Sequence, residues 1–379
     1  MKLYEYQAKG FFGRMGLPVP KSRVVTRLDE VEEAYKAVGP KIMIKAQVLV
    51  GGRGRAGGIK PANSLEEAKK IASALLHSNL KGLEVKRLLF EEQLEIAREY
   101  YAAVVTDRER ACPLIMASLK GGMEIEEVAK QYPDQVATVP IDVLYGLQDF
   151  QIRQIAFQLG LPSEDLNSFS KVLKALYDVY RAYDAELTEI NPLVVTKQGE
   201  LKAADGRLNV DDNSLFRHPD IAAYHEPGVD AAFKEKKGNA YVELDGNIGL
   251  MCTGAGMTMA IMDQIMATGG KPADFMDVGW GMLEGGSEEG IKLLLAKGVK
   301  VILISTYTGA RTDIMAQKIL EALPNIPNLN IPVVIRLQGK NEEIAQKILP
   351  ECKLPYVRTA ETLDKAVELA VKLARGEVK

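Results

Sequence analysis

The sequence is short of the residues that carry many familiar chemistries. Its 379 residues include only three histidines and three cysteines. Cys112, Cys252 and Cys352 are scattered without Cys-x-x-Cys spacing, so neither a disulfide framework nor a zinc site is expected. A reducing, cytoplasmic location is the simplest expectation. His77 falls in a predicted helix, while His218 and His225 approach a predicted linker; there is no Ser/His/Asp set and no His-Glu-x-x-His pattern. A surplus of one charge is also missing. Lys and Arg number 48 against 51 Asp and Glu, a net charge of −3, which gives no electrostatic case for nucleic acid or a membrane surface as partner. No apolar run reaches the roughly 18 residues of a membrane span. Glu5 and Lys9 interrupt the opening segment MKLYEYQAKGFFGRMG, which reads as an amphipathic helix and not as a signal peptide. What remains is ordinary: 47% hydrophobic and 26% charged residues allow a sizeable core, and the length suggests two or three domains.

Two regimes follow along the chain. The first, residues 1–228, is mixed α+β. Leu17–Pro20 breaks the chain after the opening helix. A strand predicted at Lys41–Val48 runs into the glycine-rich segment GGRGRAGG, Gly51–Gly58. Ser64 and Glu67 form a capping box ahead of a helix through Leu76. Strands are predicted at Arg87–Glu92 and Tyr100–Thr106. Leu166, Phe169, Val172, Leu173, Leu176 and Tyr180 form a helical stripe, and LTEINPLVVT, KQGE and LKAADGRL read as a hairpin. The second regime, residues 229–379, alternates strand and helix. Ile248–Cys252, Phe275–Val278, Val301–Ser305, Val333–Leu337 and Tyr356–Val357 each precede a helical pattern, the last being Leu363–Arg375. This is the signature of an open parallel α/β sheet. His225–Gly238, with Pro227 and a lysine-rich run, is the linker candidate.

Three features point to phosphate chemistry. Glycine lets backbone N–H groups approach a phosphate, and Arg53 and Arg55 add charge; a flexible surface loop is the plainer alternative. No Gly-Lys-Ser/Thr follows, so the run is not a Walker A loop. Lys45, between Ile44 and Ala46 on the preceding strand, needs an anionic partner if it points inward. Glu189 and Asn191 share a strand face. A two-residue turn at Gln198-Gly199 sets Asn191 opposite Gly206, while a three-residue loop sets it opposite Asp205. Such oxygen donors suit Mg²⁺ holding nucleotide phosphates; a solvated polar face is the alternative. Finally, the strand ending at Cys252 meets Thr253-Gly254-Ala255-Gly256 and a helix, a generic anion site. The loops Gly279-Trp280-Gly281 and Ser305–Arg311 follow two further strands and should share that carboxyl edge.

Taken together, YEYQAK, IKAQVLVGGRGRAGGIK, EEQLEIAREYY, GGMEIEEVA, EINPLVVTKQGELKAADGRL, DDNSLFR, LDGNIGLMCTGAGM and the closing βα repeat resemble the β subunit of succinate–CoA ligase over essentially the whole chain. The resemblance implies an N-terminal ATP-grasp domain and a C-terminal flavodoxin-like domain. It implies an α subunit carrying the CoA site and the histidine that becomes phosphorylated. The reaction implied is acid, CoA and ATP giving acyl-CoA, ADP and phosphate. On that pattern Lys45 and the backbone of Gly52, Arg53 and Gly54 hold the ATP phosphates. Glu91, Leu94 and Glu99 hold the adenosine and the cleft rim, and Asn191 and Asp205 ligate Mg²⁺. Glu189 faces the partner's phosphohistidine, which the N-terminus of the Gly254 helix also stabilises. Pro20 matches members that use ATP and not GTP.

The chain departs from this family at the carboxyl edge. Thr253 replaces the asparagine of Asn-Gly-Ala-Gly, Trp280 interrupts a triple glycine, and Ser305–Arg311 stands where the family reads Asn-Ile-Phe-Gly-Gly-Ile followed by two residues and a cysteine. Thr253, Gly309, Ala310 and Arg311 are therefore the substrate-contacting candidates. Succinate competes here with citrate, malate or another di- or tricarboxylate. Tyr307-Thr308 resembles the Phe-Thr of the citrate loop in ATP-citrate lyase, and Arg311 offers a bidentate clamp for an extra carboxylate.

Overall fold

The computed structural model describes residues 1–224, 239–279 and 286–378. The linker candidate at 225–238, the domain boundary placed at 228, and Trp280 and Gly281 lie outside the described residues. Contacts divide the chain into Met1–His225 and Glu226–Lys379. Among the described residues no helix is long and apolar enough to cross a membrane.

The first unit holds two sheets. A four-stranded antiparallel sheet runs in the order Ser22–Val25, Leu88–Glu92, Ile42–Ala46, Ile59–Ala62. Helices Val31–Val38 and Leu65–Leu75 cover it, packing Val31, Ala34, Ala68 and Ala72 on Val25, Ile42, Ile44 and Phe90. Strand alternation puts Ile42, Ile44 and Ala46 on that apolar face, so Lys45 points to the other. The Leu65 helix is capped by Ser64, whose hydroxyl accepts from Glu67 N, while Glu67 reaches back to Asn63 N and not to Ser64 itself.

The larger sheet is ordered Leu201–Ala203, Ala185–Thr196, Ile96–Asp107, Cys112–Ser118, Val136–Pro140, and Arg207–Val210 also pairs with Ala185–Thr196. The expected helical stripe lies on Leu166–Ala182, which buries Phe169, Val172, Leu173, Leu176 and Tyr180 against it. The opening helix, Glu5–Arg14, gives Ala8, Phe11 and Phe12 to the same core. Glu5 and Lys9, one helical turn apart, are left to share a different face.

The second unit is an open sheet ordered Ala240–Glu243, Asp274–Asp277, Ile248–Cys252, Val301–Arg311, Val333–Lys340, Val357–Thr359. All pairs are parallel except the antiparallel edge strand Ala240–Glu243. The five parallel strands therefore follow the flavodoxin-like order 2-1-3-4-5. Ile248, Leu250, Val301, Leu303 and Val334 face helices Ala255–Ala267 and Leu363–Arg375. Met251, Ile302, Ile304, Val333 and Ile335 face helices Gly286–Lys297, Thr312–Ala322 and Glu342–Glu351. One expectation is corrected: Ser305–Arg311 is not a loop. Thr306, Tyr307 and Thr308 pair with Leu337, Gln338 and Gly339, and the ladder shifts only before Arg311. β-branched and aromatic residues favour that extension.

Candidate active site

The hairpin is built first. Thr196 and Glu200 close it, Thr196 N donating to Glu200 O, with Gly199 at φ +83 inside a three-residue loop. Leu193 pairs with Ala203, and Glu189 with Arg207. Counting inward from either pair brings Asn191 across from Asp205, the second of the two registers expected.

Asn191 is fixed from a distance. Its Oδ1 accepts from Gly122 N at 2.8 Å, and its Nδ2 donates to Met123 O at 2.8 Å. Those residues are docked in turn by Gly121, whose N donates to Glu99 O at 3.0 Å. A Cβ on Gly121 would fall 2.4 Å from Tyr100 O, so only glycine allows this approach. Asp205 accepts from Gly206 N at 2.8 Å and from Arg53 Nη2, at 3.0 Å to Oδ1 and 3.1 Å to Oδ2.

The glycine-rich run supplies the facing wall. Gly52 sits at φ +69, and Arg53 turns its guanidinium inward to Ala46 O at 3.1 Å and Glu5 Oε2 at 2.8 Å. Arg55, by contrast, is exposed beside Glu124. Of the expected residues, Gly52, Arg53, Gly54, Glu189, Asn191 and Asp205 line one cavity of about 430 Å³.

Lys45 lies next to this cavity and not on its lining. Its Nζ is 3.1 Å from Glu5 Oε1, 2.5 Å from Glu91 Oε1 and 2.6 Å from Ala204 O. Lys9 Nζ completes the cluster, at 2.8 Å from Glu5, 2.5 Å from Glu91 and 2.6 Å from Ala204 O. Three cations, Lys9, Lys45 and Arg53, thus balance three carboxylates, Glu5, Glu91 and Asp205. Burial pushes the Glu5 carboxyl up, but Lys45, Lys9 and Arg53 outweigh it and hold it well below the usual carboxylate range. Burial likewise works against the charge on Lys45 and Arg53, and their acidic neighbours overcome it in both.

This placement alters part of the expectation. The Glu91 carboxylate does not meet the cavity: it is 2% exposed and both oxygens hold lysines. Leu94 and Glu99 are half-buried outside the cavity lining, with Glu99 against Gly122. Glu5 and Lys9 carry no role in the sequence reading. Their signal was present, an acid and a base at i, i+4 on a helix that buries Phe11 and Phe12 elsewhere.

Glu189 closes the cavity on the hairpin side. Tyr101 Oη donates to it at 3.2 Å and Arg207 Nη1 lies at 3.4 Å. Burial raises its pKa, with Arg207 and the Tyr101 hydroxyl pulling the other way.

At the carboxyl edge of the second unit, Gly254 at φ +87 caps the helix Ala255–Ala267, and no side chain caps its N–H groups. Asp277 Oδ1 accepts from Gly254 N at 2.8 Å and from Gly279 N at 2.9 Å. Thr253 has a buried hydroxyl without a partner. Gly309 and Ala310 form the irregularity before Arg311. The clamp expected of Arg311 is already closed: its Nε and Nη2 hold Asp313 at 3.2 and 2.6 Å. That neighbour two residues on satisfies the guanidinium, so Arg311 is not a free carboxylate receptor.

Comparison with known proteins gives a consistent picture. A family model described as the ATP-grasp domain matches residues 2–195, and one described as CoA-ligase matches residues 251–371. The succinate–CoA ligase (ADP-forming) subunit beta of Chlorobium limicola is 41% identical over 393 residues, spanning 99% of this chain and 100% of that protein. The corresponding subunit beta 2 of Archaeoglobus fulgidus is 43% identical over 381 residues, with 99% of each covered. Among solved structures, the ATP citrate lyase from Methanothrix soehngenii in complex with citrate and coenzyme A superimposes with a TM-score of 0.70. At 18% identity, covering 98% of this chain and 99% of that one, it is a likeness of fold.

Proposed function

The chain belongs to the family of succinate–CoA ligase (ADP-forming) β subunits, and from that membership we propose that it is the nucleotide-binding subunit of an ATP-dependent acid–CoA ligase. It works with an α subunit that carries the CoA site and a phosphorylated histidine, and succinate is its acid. Residues 1–228 bind the nucleotide and residues 229–379 form the CoA-ligase half. The observation that carries this reading is the gathering of Gly52, Arg53, Gly54, Glu189, Asn191 and Asp205 around one cavity with Lys45 directly behind it.

A carboxylate is a poor electrophile and must first become an acyl phosphate. At the ATP end the protein acts by positioning and charge, not by covalent chemistry. Backbone N–H groups of Gly52–Gly54 hold the phosphates. Arg53, and Lys45 behind it, offset the negative charge that builds on the transferred group. Glu91 keeps Lys45 in place, and Leu94 and Glu99 form the adenosine rim. Asn191 and Asp205 offer two oxygen donors across the hairpin, which fits Mg²⁺, an ion that takes few protein ligands and fills its shell with phosphates and water. When bound, the ion neutralises phosphate charge. Glu189 accepts the imidazole N–H of the partner's histidine and orients it for the phosphoryl group. The group is then delivered to the acid at the N-terminus of the Gly254 helix, and CoA displaces it. The unpaired thiols Cys112, Cys252 and Cys352 fit a cytoplasmic site of action.

Citrate or malate as the acid would be favoured by a free Arg311, which Asp313 occupies. The test is to purify the chain with its α-type partner and trap acyl products with hydroxylamine over succinate, malate and citrate. A succinyl hydroxamate that requires ATP, CoA and both subunits is expected. Full activity from this chain alone would instead mark a stand-alone ligase.

A further inference from the structure

Among the described residues, Arg336 sits on the strand Val333–Lys340 without a carboxylate partner. It is 6% exposed. Its Nη1 donates to Thr306 O at 3.1 Å, Nη2 contacts Gln338 Oε1, and Nε has no partner. Glu342, the acid whose charge reaches it, has an oxygen on Gly339 N. A buried guanidinium without a counter-ion is costly, and an incoming anion removes that cost.

Its surroundings are those of an anion receptor. Cys252, Ser305 and Arg336 form one row across three parallel strands. Strand alternation puts all three on the face covered by helices Ala255–Ala267 and Leu363–Arg375, since Leu250, Leu303 and Val334 pack there. Ser305 is fully buried and its Oγ has no partner, and the Thr253 hydroxyl in the turn above is likewise unsatisfied. The same turn starts the thirteen-residue helix whose first N–H groups lack a side-chain cap. Arg311, the sequence candidate for this task, is held by Asp313.

We propose that Arg336 is the specificity-determining residue for the acid, holding with Ser305 the carboxylate that does not react. This rests on the ligase reading above. A guanidinium on the reacting carboxylate would withdraw charge from the oxygen that must attack phosphorus. Anchoring the distal carboxylate avoids that loss and leaves the reacting one at the helix N-terminus. The acid is therefore a dicarboxylate, and a monocarboxylate of equal length leaves the buried arginine unpaired.

The test uses the complex with the α subunit and compares wild type, R336Q and R336K on succinate and butyrate. R336Q should raise the succinate KM on the order of 100-fold, with kcat changed less than about threefold. Its kcat/KM for butyrate should stay within about threefold of wild type, and R336K should recover part of the succinate KM. Equal losses on both acids, or an unchanged succinate KM in both variants, overturns the assignment. Phosphorylation of the partner's histidine by ATP is measured alongside and should be unchanged in both variants. Its absence in wild type would overturn the nucleotide reading instead, so the two failures are distinguishable.

Discussion

Arg53 and Asp205, 152 residues apart in sequence, are joined by one guanidinium nitrogen lying 3.0 and 3.1 Å from the two carboxylate oxygens. The glycine-rich loop and the hairpin are thereby tied together. Asp205→Ala removes both that tie and the proposed metal donor. ATP-dependent phosphorylation of the partner subunit should fall at least about 100-fold, because preorganised charge at a phosphoryl site is worth several kcal/mol. Labelling at the wild-type rate would remove Asp205 from the metal site.

Lys45→Met should weaken the fold as well as nucleotide binding. It leaves Glu5 and Glu91, 4% and 2% exposed, short of a cation. Breaking a buried pair by removing one partner costs about 3–5 kcal/mol, or roughly 10 °C in Tm for a unit of this size. Adding Glu5→Gln to Lys45→Met should return part of the loss. Strictly additive losses in calorimetry would show that the two residues are not coupled.

Glu189→Gln should separate nucleotide binding from transfer. ATP affinity should hold within about threefold, while phosphorylation of the partner slows about 100-fold. Burial raises the Glu189 pKa, so in wild type the accepting carboxylate is lost on acidification earlier than for an ordinary glutamate. Transfer rates should therefore fall with decreasing pH in wild type, and this limb should be missing from Glu189→Gln. A shared limb would assign it to another group.

Asp274 is fully buried, accepts from Leu250 N at 2.8 Å through one oxygen and has no partner on the other. Burial pushes its pKa up to about 7. The folded state binds this proton more tightly than the unfolded chain, so stability falls as pH rises from about 4 to about 7 and then levels. A displacement of that size corresponds to roughly 4 kcal/mol. Asp274→Asn keeps an acceptor for Leu250 N without the charge. It should raise Tm at pH 8.5 relative to wild type by clearly more than at pH 5; an equal difference at both would contradict the buried-charge account.

Much of this was legible in the chain itself. Ile42, Ile44 and Ala46 alternate with Lys45, and that alone turns the lysine away from the apolar core. The parallel half was readable because each strand is short, apolar and followed by a helical pattern. The hairpin register stayed open between two choices, since Gln198-Gly199 suits either loop length; the choice depends on Thr196 pairing with Glu200. Glu91 read as a ligand contact because a strand glutamate near a cleft does so, and its hold on a second lysine went unseen. That lysine, Lys9, comes from a helix 82 residues earlier, a relation no local pattern carries. Arg336 was overlooked for a similar reason: an arginine in an apolar strand is unremarkable until the nearby acid, Glu342, proves to be held by Gly339 N instead.

Asp277 receives the N–H groups of both Gly254 and Gly279 on a single oxygen. Two turns leashed to one atom are not independent parts. A substitution that re-angles either turn drags on the other, so under the proposed acid site a bulkier acid calls for paired edits at Gly254 and Gly279, with Asp277 left as the pivot between them.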